Sequence, residues 1–479
     1  MKKHTVEKIG GTSMSDYVAV RDNIILQRKS QGYYGRIFVV SAYGGITNLL
    51  LEHKKTGAAG VYSAFAESLD SNEWQTRFNE VEAAMLESNC KLFAEDSLGL
   101  AQANNFIKER LQQTRHTLIS LSDVCKHGHF DLQGHLHTVR EMLASLGEAH
   151  SAYNLSLLLQ KEGVDTRFVD LSGWEQQEHC ELDIMIERAF ADVDYQNELP
   201  IVTGYCHCRD GLMASFDRGY SEMTFSRIAV ITQAAEAVIH KEFHLSSADP
   251  RIVGVDNAVP IGRTNYDVAD QLANLGMEAI HPRAAKGLRQ NNIPLRIMNT
   301  FDPEHQGTLI TCDYVSENPC VEIIASRTSV YALEVFDQDM MGAINHYDQS
   351  ILQVLQRFRA DLVTKDVNAN TITHYLASNL KTIKRVEKVL QEQHPECEIR
   401  IRRVAVVSAI GSDMKVKGIL AKTVAALANS NINVQALHQS MRQVDMQFIV
   451  DSDDCELAVK SLHECLIEIH DHGEAICAA

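Results

Sequence analysis

The stretch from Thr5 to Met14 constrains the fold of this chain more than any other. A short strand with one lysine, Val6-Glu7-Lys8-Ile9, stops at Gly10-Gly11 and continues into a helical pattern. Glycines let a backbone approach an anion without Cβ obstruction, and a helix N-terminus adds partial positive charge. With Lys8 as a mobile cation, the stretch predicts a phosphate-binding strand-to-helix turn. Taken alone, a Gly-Gly pair favours the commoner alternative, a tight turn beside a solvated lysine, and other segments of the chain reverse that preference.

Strands and helices alternate from Thr5 to about Cys312. Arg36–Ala42 is a continuous apolar run, typical of a strand buried on both faces, and Asp16–Ser30 has helical spacing. Such alternation predicts the α/β class, with a mostly parallel sheet sandwiched by helices. Residues 57–126 show long helical periodicity, which indicates a helical insertion. Gly147–Lys161 is expected to be a separate helix that follows a polar, histidine-rich loop.

One supersecondary unit occurs twice after Pro319. Val330–Val335 aligns with Val404–Ala409 at an offset of 74 residues, and Thr371–Leu376 aligns with Asp445–Val450 at the same offset. A strand, a helix, two strands and a helix in each copy predict a small α+β ferredoxin-like unit. We therefore expect three domains, at residues 1–312, 320–395 and 398–479.

Composition and net charge limit the classes of protein and of binding partner that fit this chain. The chain has 479 residues, of which 45% are hydrophobic and 23% charged, as in soluble proteins of two or three domains. Its net charge of −18 disfavours binding to nucleic acid or to an anionic membrane. There is no signal-peptide pattern and no long apolar run, and the 11 cysteines lack disulfide-framework spacing. We expect a cytoplasmic protein with reduced thiols.

Several weak motifs follow one another in an order that resembles the aspartate kinases (aspartokinases) of the amino-acid-kinase superfamily. They are Lys8-Ile9-Gly10-Gly11-Thr12-Ser13, Val39-Val40-Ser41-Ala42, Gly45-Ile46-Thr47-Asn48, Gly147-Glu148, Asp217-Arg218-Gly219, Asp249-Pro250-Arg251, His281-Pro282 and Gly307-Thr308-Leu309. The resemblance implies an amino-acid-kinase fold, with residues of about 199–312 as its nucleotide half, followed by two ACT domains. It also implies that MgATP phosphorylates the β-carboxylate of L-aspartate to 4-phospho-L-aspartate. This reaction begins aspartate-family amino acid or ectoine biosynthesis.

The resemblance assigns roles to particular residues. Lys8, with the amides of Gly10 and Gly11, would stabilise the transferring phosphoryl group, and Glu222 would orient Lys8. The substrate-binding residues would be Thr47, Glu148, Arg218 and Ser221. The remaining nucleotide-binding residues would be Ser41, Lys241, Glu242 and Arg251. Glu148 is expected near a helix N-terminus and would receive the substrate ammonium, whereas Arg218 would grip the α-carboxylate with two hydrogen bonds. Thr47 as a helix cap and Ser41 as a turn hydroxyl remain alternatives.

The resemblance also implies partners. An amino acid effector would bind the ACT domains, near Met341 and Asp361, and ACT sheets would join chains into a homodimer or a larger homo-oligomer. Mg²⁺ would be carried by the nucleotide, and no metal site of the protein itself is expected. The runs Cys206-His207-Cys208 and Cys125 to His137 have the wrong spacing or no role for one.

Some positions depart from the family pattern. A usual Gly is Tyr220, a usual Asp is Glu222, and a usual Lys is Glu278, for which Lys241 is expected to compensate. The run Arg218-Gly219-Tyr220-Ser221-Glu222 resembles aspartate kinases associated with ectoine synthesis. Two alternatives stay open: an amino-acid kinase with another acceptor, such as glutamate, and a catalytically weak paralogue that senses amino acids through its ACT pair.

Overall fold

The computed structural model describes residues 3–26, 32–54, 56–67, 72–127, 129–174, 180–216, 219–277 and 279–468. The chain divides into two compact units. Unit 1 contains Met1–His244 and Ile280–Cys312, and unit 2 contains Leu245–Ala279 and Asp313–Ala479. Residues 245–279 therefore group with the C-terminal part of the chain, although they lie within the first predicted domain. The domain boundaries themselves stay a prediction.

Strands and helices are labelled in chain order. The first part of the chain contains β1 Thr5–Ile9, α1 Gly11–Met14, α2 Tyr17–Ala19, a π-helix Val20–Leu26, β2 Arg36–Val40, α3 Ile46–Leu50, α4 Val61–Glu67, α5 Glu73–Leu92, α6 Ser97–Cys125, α7 Gln133–Lys161, β3 Thr166–Val169, α8 Leu182–Phe190, β4 Leu199–Thr203, α9 Leu212–Phe216, α10 Tyr220–Ile231 and β5 Glu236–Lys241. The second part contains α11 Pro250–Val253, β6 Arg263–Asn265, α12 Tyr266–Asn274, α13 Pro282–Gln290, β7 Leu295–Asn299, β8 Thr308–Thr311, β9 Ile323–Phe336, a 3₁₀ turn Gln338–Met340, α14 Ile344–Arg357, β10 Leu362–Val367, β11 Thr371–Leu376, α15 Leu380–Gln393, β12 Glu398–Ile410, α16 Ile419–Asn429, β13 Ala436–Gln439, β14 Asp445–Asp451, a 3₁₀ turn Ser452–Asp454 and α17 Cys455–Leu466.

The strands of unit 1 lie in the order β3-β4-β2-β1-β5-β7-β8. All neighbouring pairs are parallel except β7 with β8. Every residue of β2 is buried, as expected for a strand covered by helices on both faces. This confirms the predicted α/β class and parallel-rich sheet. The chain leaves β1 towards β2 on one side and returns on the other side at β5, so the carboxyl end of β1 is a topological switch point, where α/β sheets bind ligands.

Helix α7 differs from the prediction. It begins at Gln133 rather than at Gly147, so Glu148 lies in the middle of a helix of 29 residues and gains nothing from an N-terminus. Buried Leu136, Val139 and Leu143 continue the apolar stripe of the later turns. Because these apolar side chains are buried on one helix face, the predicted polar loop is helical from residue 133 onwards. The predicted insertion, residues 57–126, contains α4, α5 and α6.

The segment predicted as one α-helix over residues 16–30 has two parts. Only Tyr17–Ala19 is α-helical, and Val20–Leu26 forms a π-helix. Residues 27–30 of that prediction lie outside the described residues. The widened turn exposes backbone carbonyls that an arginine of β2 uses, as described below.

Unit 2 contains an antiparallel sheet in the order β10-β11-β9-β12-β14-β13. The predicted repeat is exact in the strand register: Thr371 lies opposite Phe336, and Asp445 lies opposite Ile410, with both residues shifted by 74. In each copy the two helices cover one face of the sheet with a separate apolar core. This confirms two α+β ferredoxin-like copies, and the long strands β9 and β12 serve both of them.

Candidate active site

The turn after β1 is held against the turn after β2. Gly10 is extended, and its N–H donates to the carbonyl of His240 at 3.3 Å, which joins the turn to the end of β5. A Cβ on Gly11 would lie 2.7 Å from the Ala42 carbonyl oxygen, so only glycine fits there. Ser15 links the two turns, because its hydroxyl bonds the Gly11 carbonyl at 3.1 Å and accepts from the Gly44 N–H at 2.8 Å.

Lys8 is enclosed at this end of β1 and is only 8% exposed. Its Nζ lies 3.4 Å from Oε1 of Glu222, in the first turn of α10, and the two side chains are 10% and 14% exposed. The other Glu222 oxygen accepts from the backbone N–H of His281. Burial alone would raise the pKa of Glu222, but the charges of Lys8 and Lys241 and the His281 N–H hold it below its usual value. Glu222 is thus an anion fixed beside Lys8.

Glu148 lies on α7 and is 1% exposed. Its Oε1 accepts from the Ser221 hydroxyl at 2.7 Å, whereas Oε2 has no hydrogen-bond partner among the described residues. Burial raises the pKa of Glu148 to about 8, although Ser221 and the charge of Lys8 oppose the rise. A buried carboxylate oxygen without a donor is costly, and a ligand ammonium would remove that cost.

Two close backbone approaches shape the space around Glu148. A Cβ on Gly204, which follows β4, would lie 2.9 Å from Oε2 of Glu148 and 2.7 Å from the Val40 carbonyl oxygen. A Cβ on Gly147 would lie 2.8 Å from the Ala42 Cβ. Gly204 was not predicted as a site residue, and the only sequence signal for it is its position directly after an apolar strand.

The other predicted acceptor-side residues are partly located. Ser41 directly follows β2, as predicted, and Thr47 is the second residue of α3, which begins after Gly45 at φ +87°. Ser221 is in the first turn of α10 beside Glu148. Arg218 lies outside the described residues, so its proposed grip on a carboxylate stays a prediction.

The predicted nucleotide-binding residues are divided between the units. Lys241 ends β5, Glu242 follows it, and the charge of Lys241 acts on Glu222. Arg251 belongs to unit 2, where its guanidinium pairs with Asp249 at 2.6 Å and the side chain is 89% exposed. The predicted contacts of these residues with ATP stay predictions.

The two predicted effector residues lie in the first ferredoxin-like copy. Met341 is 73% exposed between the 3₁₀ turn and α14. Asp361 directly precedes β10 and pairs with Arg327 at 2.7 Å. An effector that used this carboxylate would have to compete with the arginine.

The described residues contain neither a candidate metal cluster nor a candidate membrane-spanning helix. No set of three or more His, Cys, Asp and Glu side chains within them could hold a metal ion. Over the same residues, no helix has both the length and the apolar character needed to cross a membrane.

A buried network on the opposite face of β1 was not predicted from the sequence. Glu7, which is fully buried, pairs with Arg36 at 2.7 Å and with His240 at 2.8 Å. Each member had a weak signal, since a charged or polar residue in an apolar strand needs a partner. Because the partners come from β2 and β5, only the strand order reveals them.

The comparisons with known proteins agree with this architecture. The amino acid kinase family matches residues 3–299, and an ACT domain matches residues 407–466. Aspartokinase III of E. coli, solved with aspartate and ADP, has a TM-score of 0.72 at 20% identity and covers 97% of this chain and 100% of its own. Aspartate kinase of Clostridium acetobutylicum has a TM-score of 0.70 at 19% identity, over 96% of this chain and 100% of its own. At these identities the two structures support the fold alone.

A curated relative is much more similar. Aspartate kinase Ask_Ect of Stutzerimonas stutzeri (strain A1501) is 55% identical over 99% of this chain and 100% of its own length. The chain belongs to the amino acid kinase family. Within that family it is an aspartate kinase, as the order of the motifs predicted.

Proposed function

We propose that this chain transfers the γ-phosphoryl group of MgATP to the β-carboxylate of L-aspartate at the carboxyl end of β1, giving 4-phospho-L-aspartate and MgADP. The observation that carries the proposal is the placement of one buried ammonium, Lys8, between two carboxylates of opposite character. Glu222 is fixed and ionised beside it, whereas Glu148 keeps an oxygen without a partner among the described residues. Family membership supplies the reaction, and this geometry supports the assignment of roles.

Lys8 would stabilise negative charge on the transferring phosphoryl group. Phosphoryl transfer needs little covalent help from a protein, so catalysis consists of positioning and charge stabilisation. Glu222 would hold the ammonium in place through the 3.4 Å pair, and the His281 N–H would in turn hold Glu222. Mg²⁺ would arrive on the nucleotide phosphates and neutralise charge there.

Glu148 would bind the α-ammonium of aspartate through Oε2, while Ser221 keeps the other oxygen oriented. Arg218 is proposed for the α-carboxylate and Thr47 for further contact with the substrate. This arrangement would turn the β-carboxylate of the substrate towards Lys8. On the nucleotide side we propose Gly10, Gly11, Ser41, Lys241, Glu242 and Arg251.

The wider context is also proposed. The product would enter ectoine or aspartate-family amino acid synthesis in the cytoplasm. The 55% identical relative named Ask_Ect and the Tyr220 and Glu222 substitutions support the first of these branches. A free amino acid would act as an effector near Met341 and Asp361, and chains would associate through the ferredoxin-like copies.

The test is an assay of ADP formation by the purified protein with ATP, Mg²⁺ and either aspartate or glutamate, with hydroxylamine added to trap the acyl phosphate. We expect ADP and an equal amount of aspartyl hydroxamate, and a much lower kcat/KM with glutamate. Equal turnover of both acids would show that the enzyme is not specific for aspartate as the phosphoryl acceptor. Binding of an amino acid without any binding of MgATP in calorimetry would favour the sensing paralogue instead.

A further inference from the structure

Glu7, Arg36 and His240 form a buried triad across the three central strands of unit 1. Both Glu7 oxygens pair with the Arg36 guanidinium, at 2.7 and 2.8 Å, and Oε2 also bonds Nε2 of His240 at 2.8 Å. The three residues are 0%, 4% and 5% exposed. Burial would raise the pKa of Glu7, but Arg36 and His240 hold it well below its usual value. A fully buried carboxylate that bonds side chains of both neighbouring strands rigidifies the strands that it joins.

The first link from the triad to the active site runs through His240. The ring of this residue is fixed by Glu7, and its backbone carbonyl accepts the Gly10 N–H at 3.3 Å. The next residue is Lys241, whose charge lowers the pKa of Glu222. Displacement of the His240 ring would therefore move the strand end that holds the glycine turn, defined here as Gly10–Ser13.

The second link runs through Arg36 and the π-helix. The guanidinium donates to the carbonyls of Ile24 and Ile25, at 2.9 and 3.3 Å. Asn23 of the same helix donates to the Thr300 carbonyl at 2.9 Å. The Thr300 hydroxyl in turn bonds the buried hydroxyl of Ser13 at 2.8 Å, at the far end of the glycine turn.

We propose that Glu7, Arg36 and His240 are positioning residues that hold both ends of the glycine turn for nucleotide binding and phosphoryl transfer, an inference that rests on the proposed function. The triad touches no substrate itself. Lys8 follows Glu7 on the same strand and points to the other face of the sheet. The triad therefore anchors the strand that carries the Lys8 ammonium on the face opposite to that ammonium. A small displacement of such a turn is enough to slow phosphoryl transfer, because the reaction depends on alignment.

The test replaces His240 with phenylalanine, which keeps the ring but cannot bond Glu7. We expect His240→Phe to raise the KM for ATP about tenfold and to lower kcat about tenfold, with the KM for aspartate within twofold of wild type. His240→Gln, whose amide can donate to Glu7, should restore most of both losses. Asp170→Asn is the matched control, because it breaks another largely buried ion pair of unit 1, with Arg110, outside the triad.

The outcomes separate this inference from the proposed function. If His240→Phe and Asp170→Asn change the KM for ATP equally, or if both substrates are affected alike, the triad is only structural and the inference is wrong. Binding of MgADP is measured by calorimetry in parallel. A wild-type protein without aspartate kinase activity would refute the proposed function. The MgADP affinities of wild type and His240→Phe would still show whether the triad positions the glycine turn for nucleotide binding. Should His240→Phe fail to fold, His240→Asn, whose amide is too short to reach Glu7, takes its place with the same expected split.

Discussion

Glu148 and Glu222 are two buried carboxylates beside the same ammonium, and their proton affinities move in opposite directions. The charge of Lys8 favours ionisation of both. Glu222 also accepts a backbone N–H and feels Lys241, and its pKa falls below the usual value. Glu148 is completely enclosed and feels the charge of Lys8 alone, so burial raises its pKa to about 8 although Ser221 donates to it. Burial therefore dominates at Glu148, whereas a second cation and a backbone donor outweigh burial at Glu222.

This difference indicates which side of the site is complete before ligands bind. The Glu222 side has its donors in place, so it can hold Lys8 without any substrate. The Glu148 side lacks one donor among the described residues, which is the state expected of a subsite that binds an ammonium. We infer that the phosphoryl side is preformed and that the acceptor side is completed by aspartate. Substitutions of Lys8, Glu148 and Glu222 test this contrast.

Lys8→Met has the largest expected effect, because it removes the cation common to both carboxylates. We expect kcat to fall by about 10² to 10³ fold, as when one charge-stabilising group is removed from a transition state. The pKa values of both Glu148 and Glu222 should rise. Steady-state kinetics with saturating ATP and aspartate measure the loss.

Lys91→Met is the control for Lys8→Met, since Lys91 is an exposed lysine of α5 with a 74% exposed side chain. It should retain wild-type kinetics. A Lys8→Met enzyme that keeps more than a third of the wild-type kcat would show that the ammonium does not act on the transferring group.

Glu148→Gln tests the acceptor side alone. The amide keeps the shape of the side chain and a bond with Ser221, but it cannot pair as an anion with an ammonium. We expect the KM for aspartate to rise about 10- to 100-fold, the usual worth of a charge-assisted hydrogen bond, with the KM for ATP unchanged. Substrate-saturation curves for both substrates provide the measurement.

The contrast would be lost if Glu148→Gln changed the two KM values equally. Succinate, which resembles aspartate without its ammonium, sharpens the result as a competitive inhibitor. It should bind wild-type protein and Glu148→Gln with similar affinity. Much weaker binding of succinate to Glu148→Gln than to the wild type would show that Glu148 contacts a part of the substrate other than the ammonium.

The pH dependence of aspartate binding follows from the raised pKa of Glu148. Ligand-free protein carries this carboxyl mostly protonated at pH 7, whereas the substrate ammonium needs the carboxylate. Aspartate must therefore expel a proton below about pH 8, and apparent affinity should gain about fivefold between pH 7 and pH 8 and about twofold more above pH 8, where it levels off. The KM for aspartate from pH 6 to pH 9 measures this, and Glu148→Gln should abolish the dependence. A rise of that KM between pH 7 and pH 8 in the wild type would contradict the assignment.

The sequence predicted those parts of the fold that depend on local pattern. The glycine turn and the 74-residue repeat are periodic or contiguous signals, and the repeat is reproduced in the register of β11 and β14. It predicted backbone better than core chemistry. His374 in the first copy and Phe448 in the second occupy the same register position, and both are fully buried. Burial lowers the pKa of His374 to about 4, so the first copy has a neutral polar ring at the position where the second copy has an apolar ring.

Features that depend on packing between distant segments could not be predicted from the sequence. The start of α7 was misplaced, because Gly147 indicates a helix start but in fact allows close approach to Ala42. The partners of Glu148 and Glu222, namely Ser221 and the His281 N–H, are 73 and 59 residues away. The Lys8 and Glu222 pair was predicted from the family resemblance, whereas the Glu7, Arg36 and His240 triad had no such support.

Glu222→Asp has the smallest expected effect and tests the phosphoryl side alone. Aspartate is the residue that the family pattern has at this position, but here it would withdraw the carboxylate by one methylene from both Lys8 and the His281 N–H. The anion would remain while its hold on Lys8 loosened, so we expect kcat to fall about three- to tenfold and the KM for aspartate to stay unchanged. This is the reverse of the split expected for Glu148→Gln, and the two variants measured side by side decide whether the carboxylates have separate roles. If Glu222→Asp instead raised the KM for aspartate as much as Glu148→Gln does, both would belong to one acceptor subsite, and the phosphoryl side could not be considered preformed.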